Sequence, residues 1–511
     1  MTDPSEGAPP SNAPGRWQQR AALGVALLAA RTVAQQGAVL VGNVWLARAL
    51  EPADFGLFVI VQFTLSVFSI MGDAGLGAAL VQRKTLPTHR ELSSIFWLQA
   101  LIALGIIGLV NLAAPLVPLV WPKLPAGSVW LLRALSLQLL LTAVRSVPSL
   151  LLERELHFGR VALVDFSMTV AFYATAVPLA REHPGTHVLV FAVLAQGAVA
   201  TLLMAVLRPF RPALVLDLAL LRSFVRFGAA VQTKHVVGMI NEWLMPIIAG
   251  TFLGPAAVGL INWSRQTSLF PYQFVSIVAR VAFPLYSRLR DDGPKLGQAI
   301  ERAAHACAAL TACFGGLVLG LGEPLVRIVF SEKWLPALPL LSVYAAVHSV
   351  GFLTPVVAPA FDALGRPGLM TRLASVWTAL NWIIATAAVW ALRTPLAFVV
   401  GACVHVVFSN VLVLVAYRRL HPHGNPLARV GFPLALAVAL AAADRLWVAP
   451  LVRGPLSLIA AVAGSIVAYL GLLFVVDRHA RAEMRAALAA RADQKRRSAL
   501  AGSSKKSVLH R

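Results

Sequence analysis

The chain alternates long apolar runs with short polar breaks. A helix needs roughly 18 to 25 mostly apolar residues to cross hydrocarbon. Runs of that kind fall near 24–47, 56–81, 95–120, 130–152, 162–180, 187–207, 228–252, 257–282, 303–322, 338–362, 370–391, 396–416, 430–448 and 456–476. The pattern predicts an all-α polytopic membrane protein with about fourteen transmembrane helices. One break occurs twice. Ala49-Leu50-Glu51-Pro52-Ala53-Asp54-Phe55-Gly56-Leu57 is echoed by Phe252-Leu253-Gly254-Pro255-Ala256-Ala257-Val258-Gly259-Leu260. Proline stops one helix and glycine frees the backbone, so each copy reads as a tight reversal between two spans. Self-similarity at long spacing is the mark of an internally duplicated transporter.

Polar residues inside the spans are not scattered. Helix one carries Arg31, Thr32, Gln35, Gln36 and Asn43 on one face. Helix two places Gln62, Ser66, Ser69 and Asp73 at i, i+4, i+7 and i+11, and helix four repeats that spacing with Gln138, Thr142, Arg145 and Ser149. Helix seven gathers Lys234, His235, Gly238, Asn241 and Glu242. Helix eight adds Asn262, Arg265, Gln266, Ser268, Tyr272, Gln273, Ser276 and Arg280. A charge at mid-membrane costs about 2.5–3.5 kcal/mol. Such faces must turn inward, where they outline a hydrated chamber. Arg31, Arg145, Lys234 and Arg265 are its cations, Gln35, Asn43, Gln62, Gln138, Asn241 and Gln273 its amides, and Asp73, His235 and Glu242 its titratable groups. Structural roles compete with these. Arg31 can pair with Asp73; Arg265 and Lys234 can neutralise Glu242; Asp73 lies among Gly72, Gly75 and Gly77, as at a helix end or hinge; Arg280 can snorkel. His305, His348 and His405 read as core histidines on apolar faces.

Composition agrees with the class. Hydrophobic residues make up 58% of the chain and charged residues 13%, and the mean hydropathy is +0.74. The formal charge of +22 would suit a nucleic-acid partner, but its placement does not. Alternate loops collect Arg83, Lys84 and Arg90; Arg154 and Arg160; Arg208, Arg211, Arg222 and Arg226; Arg288, Arg290, Lys295 and Arg302; Arg366 and Arg372; Arg418, Arg419 and Arg429. The opposite loops are sparse in cations. This is the positive-inside bias, which puts both termini in the cytoplasm. Cys307, Cys313 and Cys403 fall inside spans without metal or disulfide spacing, and no metal or cofactor is expected. Residues 1–20 read as a disordered cytoplasmic tail, 21–207 as a first six-helix lobe, and 208–227 as a basic amphipathic linker along the cytoplasmic surface. Residues 228–420 read as a second six-helix lobe, 421–476 as two appended helices, and 477–511 as a basic cytoplasmic tail. Trp334, in Glu332-Lys333-Trp334-Leu335-Pro336 on the outer side, is placed for the aromatic belt.

The turn EPADFGLF, the run GDAGLGAALVQR, the second turn FLGPAAVGL followed by WSRQTSLFPYQ, the motif SEKWLPALPLL and the ALGRP loop come in order along the chain. Together they resemble the polysaccharide transporter family of the multidrug/oligosaccharidyl-lipid/polysaccharide superfamily, over about residues 20 to 475. Similar members are the flippases of O-antigen, capsule and exopolysaccharide repeat units in the bacterial inner membrane. The resemblance implies two pseudo-symmetric six-helix lobes, with helices one, two, seven and eight lining the chamber. It also implies an undecaprenyl-pyrophosphate-linked oligosaccharide as cargo, coupling to H+ or Na+, contact with membrane lipids, and work alongside a polymerase and a chain-length regulator. Arg31, Arg145, Lys234 and Arg265 would then meet the pyrophosphate, the amides the sugar hydroxyls, and Asp73, His235 and Glu242 the coupling ion. A lipid II flippase shares such a cationic chamber. A drug antiporter of the superfamily would want an acid-rich one. A membrane polymerase or glycosyltransferase would need a long outer loop, and none here exceeds roughly 15 residues.

Overall fold

The computed structural model describes residues 35–73, 87–125, 127–155, 157–217, 239, 242–421, 423–477 and 481. Every regular element among them is helical. Ten helices are long and apolar enough to cross a membrane, or eleven when one bent pair is taken as a single span. The first, second and seventh predicted spans lie partly outside the described residues, and the second gives only the shorter apolar helix Pro52–Val67, which is not among the ten. The chain is a multi-pass membrane protein. It divides into two compact units: Met1–Glu51, Thr64–Val117 and Ala126–Gln232 form one, and Pro52–Phe63, Pro118–Pro125 and Thr233–Arg511 the other.

Unit 1 contains α1 (35–49), the second half of α2 (Pro52–Asp73), α3 (His89–Ala113), α4 (Ser128–Arg154), α5 (Phe158–Glu182) and α6 (Thr186–Leu207). Helix α3 starts with a capping box. The Thr88 hydroxyl accepts from the Glu91 amide at 3.3 Å and the Glu91 carboxylate accepts from the Thr88 amide at 2.7 Å, so two otherwise orphaned donors are satisfied. Helix α4 packs against both α3 and α6, and α5 against α6. The interval read as an amphipathic linker has no regular secondary structure over 208–217, while 218–227 lies outside the described residues. Four hydrogen bonds pin the irregular part to α3. Ser93 Oγ accepts from the Ala213 amide at 3.0 Å, and Ser94 Oγ accepts from the Asp217 amide at 3.1 Å. Ser94 Oγ donates to the Val215 carbonyl at 3.2 Å, and Trp97 Nε1 to the Ala213 carbonyl at 2.9 Å.

Unit 2 runs from α7 (242–252), through α8 (Pro255–Ser268), α9 (Tyr272–Leu289), α10 (Gly293–Leu325), α11 (Leu338–Val350), α12 (Leu353–Ala363), α13 (Pro367–Leu392) and α14 (Pro395–Leu420), to α15 (Gly431–Ala443) and α16 (Pro455–Val476). The stretch read as one span over 257–282 is in fact α8 and α9 meeting at 51°. Pro271 sits in the break, where its missing N–H interrupts the helical ladder. Its core is built from Tyr286, Phe352, Phe361 and Tyr417, with smaller residues of α10 and α12 between them. Trp334 corrects the sequence reading. It is wholly buried, its ring 4.9 Å from Trp263 and 5.5 Å from Phe55. An indole that finds aromatic partners inside the protein has no reason to sit at the lipid boundary.

The duplicated turn explains the first part of unit 2. Gly254 adopts φ +94°, which glycine takes without strain, and Pro255 then opens α8. Helices α2 and α8 cross at Gly56 and Gly259. A Cβ on Gly56 would overlap the carbonyl oxygen of Pro255, and a Cβ on Gly259 would overlap that of Pro52. Each glycine thus sits on the proline that opens the other copy of the motif. Only backbones without side chains come this close, the device that lets membrane helices pack through small residues. Beside the crossing, Trp121 Nε1 donates to the Pro246 carbonyl at 3.1 Å and Lys123 Nζ to the Phe252 carbonyl at 2.7 Å. Pro246 lies in the π-helical turn Met245–Ala249 of α7.

At the other end of unit 2, α15 lies on α10, where Gly316 faces Ala437 and Gly320 faces Asp444. Tyr469 of α16 donates to the Pro433 carbonyl at 3.2 Å. His305 is buried, as read, yet it is not alone on an apolar face. Its Nδ1 lies 2.9 Å from the Arg429 carbonyl and its Nε2 3.4 Å from Asp477 Oδ2.

Candidate functional site

In unit 2 the reversal at Gly254 and Pro255 brings α8 back along α7, so that Arg265 meets Glu242. The guanidinium and carboxylate form a two-pronged pair, with Nη2 to Oε2 at 2.6 Å and Nη1 to Oε1 at 3.2 Å. The Arg265 side chain is 29% exposed and that of Glu242 55%, so the pair keeps one open flank. Arg265 Nε is buried and has no hydrogen-bond partner among the described residues. An anion arriving there would compete with Glu242 for donors whose planar fork suits phosphate as well as carboxylate.

A second layer stands behind the pair. Ser268 Oγ lies 2.8 Å from His348 Nδ1, Tyr272 donates to the His348 carbonyl at 3.2 Å, and the Tyr344 and His348 rings stack at 5.6 Å. Tyr344 is buried, with its hydroxyl unpartnered among the described residues. His348, read as a core histidine, is instead tied to helix α8 through Ser268. The stripe read along helix eight therefore divides by side on both segments of the bent pair. Ser268 and Tyr272 turn into the packing, whereas Gln266, Gln273, Ser276 and Arg280 are exposed. Gln62 is exposed as well, and Lys234, His235 and Asn241 lie outside the described residues.

In unit 1, Arg31 and the Asp73 side chain lie outside the described residues. Gln35 Nε2 donates to Thr169 Oγ1 at 3.2 Å, and the Tyr173 hydroxyl donates to Asn43 Oδ1 at 2.9 Å. Gln138 turns toward α6, where its Oε1 abuts Gly197 and finds no partner among the described residues. Arg145 turns toward α5, its Nη1 3.7 Å from Met168 Sδ. The one-face projection thus placed Gln138 and Arg145 together, but they point at different neighbours. Helix α5 was missed as a contributor. Its Asp165, Thr169 and Tyr173 recur every fourth residue, a signal present in the sequence.

Among the described residues no three His, Cys, Asp or Glu side chains group as metal ligands. Within unit 2, Arg265 stands beside the Glu242 carboxylate with hydroxyls behind it, an arrangement that offers charge and hydrogen bonds to an anionic group.

Comparison with known proteins agrees with the fold. The inward closed conformation of the lipid II flippase MurJ superposes with a TM-score of 0.71 at 12% identity, covering 89% of this chain and 99% of that one. The teichuronic acid biosynthesis protein TuaB of Bacillus subtilis (strain 168) is 27% identical over 59% of this chain; the alignment spans 62% of TuaB, less than two thirds of its length. The succinoglycan biosynthesis transport protein ExoT of Rhizobium meliloti (strain 1021) is 27% identical over 73% of this chain and 74% of its own. A family profile described as polysaccharide biosynthesis protein matches residues 45–339, more than half of the chain. That match takes in both copies of the duplicated turn, Arg145, Glu242 and Arg265, and the chain belongs to the polysaccharide biosynthesis protein family.

Proposed function

We propose that this protein is a flippase. It carries undecaprenyl-pyrophosphate-linked oligosaccharide repeat units of an O-antigen, capsule or exopolysaccharide from the cytoplasmic to the outer leaflet of a bacterial inner membrane. Alternating access of the two six-helix lobes moves the cargo, H+ or Na+ binding at Asp73, His235 or Glu242 drives it, and a polymerase and chain-length regulator receive the product. Both termini face the cytoplasm. The observation that carries this reading is the Glu242–Arg265 pair, a two-pronged arginine with an open flank and a spare donor, in a chain of this family. An arginine in an apolar span is costly to keep, and one whose carboxylate partner is more than half exposed has a use beyond packing.

Flipping of a fluorescent undecaprenyl-pyrophosphate oligosaccharide in proteoliposomes tests the proposal. The wild type flips it. Arg265→Ala and Arg31→Ala insert normally and lose at least roughly tenfold in rate, the size of effect expected where a charge-assisted contact is removed. The double variant Glu242→Gln/Arg265→Gln separates the roles. If the pair serves structure alone, neutralising both partners restores transport, because no charge is left unpaired. If Arg265 meets cargo, the double variant stays inactive while recovering stability. Wild-type protein that flips lipid II in preference to the repeat-unit lipid, or exports small organic cations instead, overturns the proposal.

A further inference from the structure

The bend in the α8–α9 pair comes just after Arg265, and one residue of α11 touches both of its arms. Helix α8 ends at Ser268 and α9 begins at Tyr272, at 51° to it. Ser268 Oγ lies 2.8 Å from His348 Nδ1, and the Tyr272 hydroxyl donates to the His348 carbonyl at 3.2 Å. The imidazole thus holds one arm and the carbonyl of the same residue the other. Tyr272 is closely seated as well, since a Cβ on Gly351 would overlap its hydroxyl oxygen.

A peg can position a neighbour only if it is itself fixed, and the end of α11 is. The last carbonyls of a helix have no partner within it. Here that of His348 accepts from Tyr272 of α9, that of Ser349 from Thr311 Oγ1 of α10 at 3.0 Å, and that of Val350 from Asn410 Nδ2 of α14 at 2.8 Å. One turn earlier, the Tyr344 ring stacks on the imidazole.

The link to Arg265 runs through one hydroxyl. Ser268 Oγ donates to the main-chain carbonyl of Arg265 at 2.7 Å, which also accepts from the Leu269 amide at 3.0 Å. A serine has one proton to give, so the arrangement that uses every group has His348 Nδ1 donating to Ser268 Oγ. A serine bonded back to the preceding turn weakens or bends a helix by itself. Fixed from α11, it holds the last turn of α8 in one place. The Arg265 side chain leaves from that turn, with Glu242 on its fork and Nε unpartnered among the described residues.

We propose that His348 is a positioning residue for Arg265. Acting through Ser268, it keeps the guanidinium at the open flank of the pair, so that an arriving anion meets a fork already in place and does not have to order it. The inference rests on the reading of Arg265 as an anion contact of the cargo. Inorganic pyrophosphate is the probe, because it carries the same diphosphate chemistry.

Binding of pyrophosphate to the full-length chain in detergent reads the position of Arg265. His348→Leu removes the donor and leaves the main-chain carbonyl that Tyr272 uses. It raises the Kd about twofold to tenfold, the equivalent of one hydrogen bond. Ser268→Ala raises it by the same factor and the double variant no further, because both substitutions cut one link. His348→Asn, whose amide nitrogen stands where Nδ1 does, one bond beyond Cγ, restores the wild-type Kd. Once Arg265→Ala is present, His348→Leu adds nothing. Thr311→Val is the structural control: it loosens the same end of α11 and lowers the thermal midpoint, but leaves the Kd alone. The proposal is overturned by a Kd that His348→Leu leaves unchanged, that His348→Asn does not restore, that Thr311→Val raises as far, or that His348→Leu still raises without Arg265. A wild type that binds no pyrophosphate overturns it too. Flipping of the undecaprenyl-pyrophosphate probe in proteoliposomes judges the flippase reading separately. Wild type that shows these shifts in Kd but flips nothing defeats that reading and leaves the positioning role, whereas normal flipping with no shift in Kd keeps the reading and removes the role.

Discussion

The crossing of Gly56 and Gly259 depends on two hydrogens in place of two methyl groups. Alanine at either position must push a helix off the carbonyl of the facing proline. Backbone oxygens of a helix start cannot swing aside as a side chain can, so the cost is that of overpacking, about 1–3 kcal/mol per site. Gly56→Ala and Gly259→Ala are each expected to lower the thermal midpoint of the detergent-solubilised protein by several degrees. Gly105→Ala, on α3 where a Cβ meets nothing within 4 Å, should not lower it. If Gly105→Ala destabilises as much as the other two, the crossing is not what makes Gly56 and Gly259 special. Sequence went far at this scale. Repetition marked both glycines, and the cost of charge in hydrocarbon marked Glu242 and Arg265 as inward-facing. Pairing was half legible, because Lys234 and Arg265 both offered Glu242 a cation, and the packing of α7 on α8 joins Glu242 to Arg265.

Among the elements, the irregular segment 208–217 is held by contacts that a sequence does not announce. Serines and a tryptophan on α3 replace the hydrogen bonds that a strand partner would have supplied. Each such bond contributes about 0.5–1.5 kcal/mol net. The pair Ser93→Ala/Ser94→Ala removes three of the four. It is expected to speed chymotryptic cleavage after Phe210 severalfold while leaving the rest of the digestion pattern unchanged; unaltered cleavage would mean that Trp97 and the packing of Phe210 on Phe96 hold the segment by themselves. Basic, apolar composition reads as an amphipathic surface linker there, and the pattern records only which residues dislike water, not which serines lie opposite. Helix α5 was obscure for a related reason. A repeat of four drifts by about 40° per step, so Asp165, Thr169 and Tyr173 spread round the helix and look less like one stripe than the tighter i, i+4, i+7, i+11 sets do. Trp334 misled in the other direction, since an indole near a span end fits lipid and core equally until Trp263 and Phe55 are seen against it.

For the whole molecule, the strongest inference from sequence is the sidedness of its charge, and it can be tested without knowing the cargo. Excess Lys and Arg on one set of short loops sets membrane orientation, because translocating each cation against the potential is unfavourable. The loop holding Arg418, Arg419 and Arg429 precedes α15, and the loop holding Arg453 precedes α16. If the first is cytoplasmic, the second is on the far side and the C-terminus returns to the cytoplasm. A green fluorescent protein fused after residue 424 or at the C-terminus should fluoresce, and alkaline phosphatase fused after residue 453 should be active. Each reporter swapped to the opposite site should be silent. The contrast matters beyond topology. Pyrophosphate-linked precursors bearing undecaprenyl are proposed to enter from the cytoplasm, and an arginine such as Arg265 can load them only if the chamber opens toward the side where the basic loops lie. Inverted reporter signals would place those loops outside, and a flippase working outward would then have its cationic entrance facing the wrong leaflet. The proposed direction of transport would fall with it, even though the fold and the family would stand.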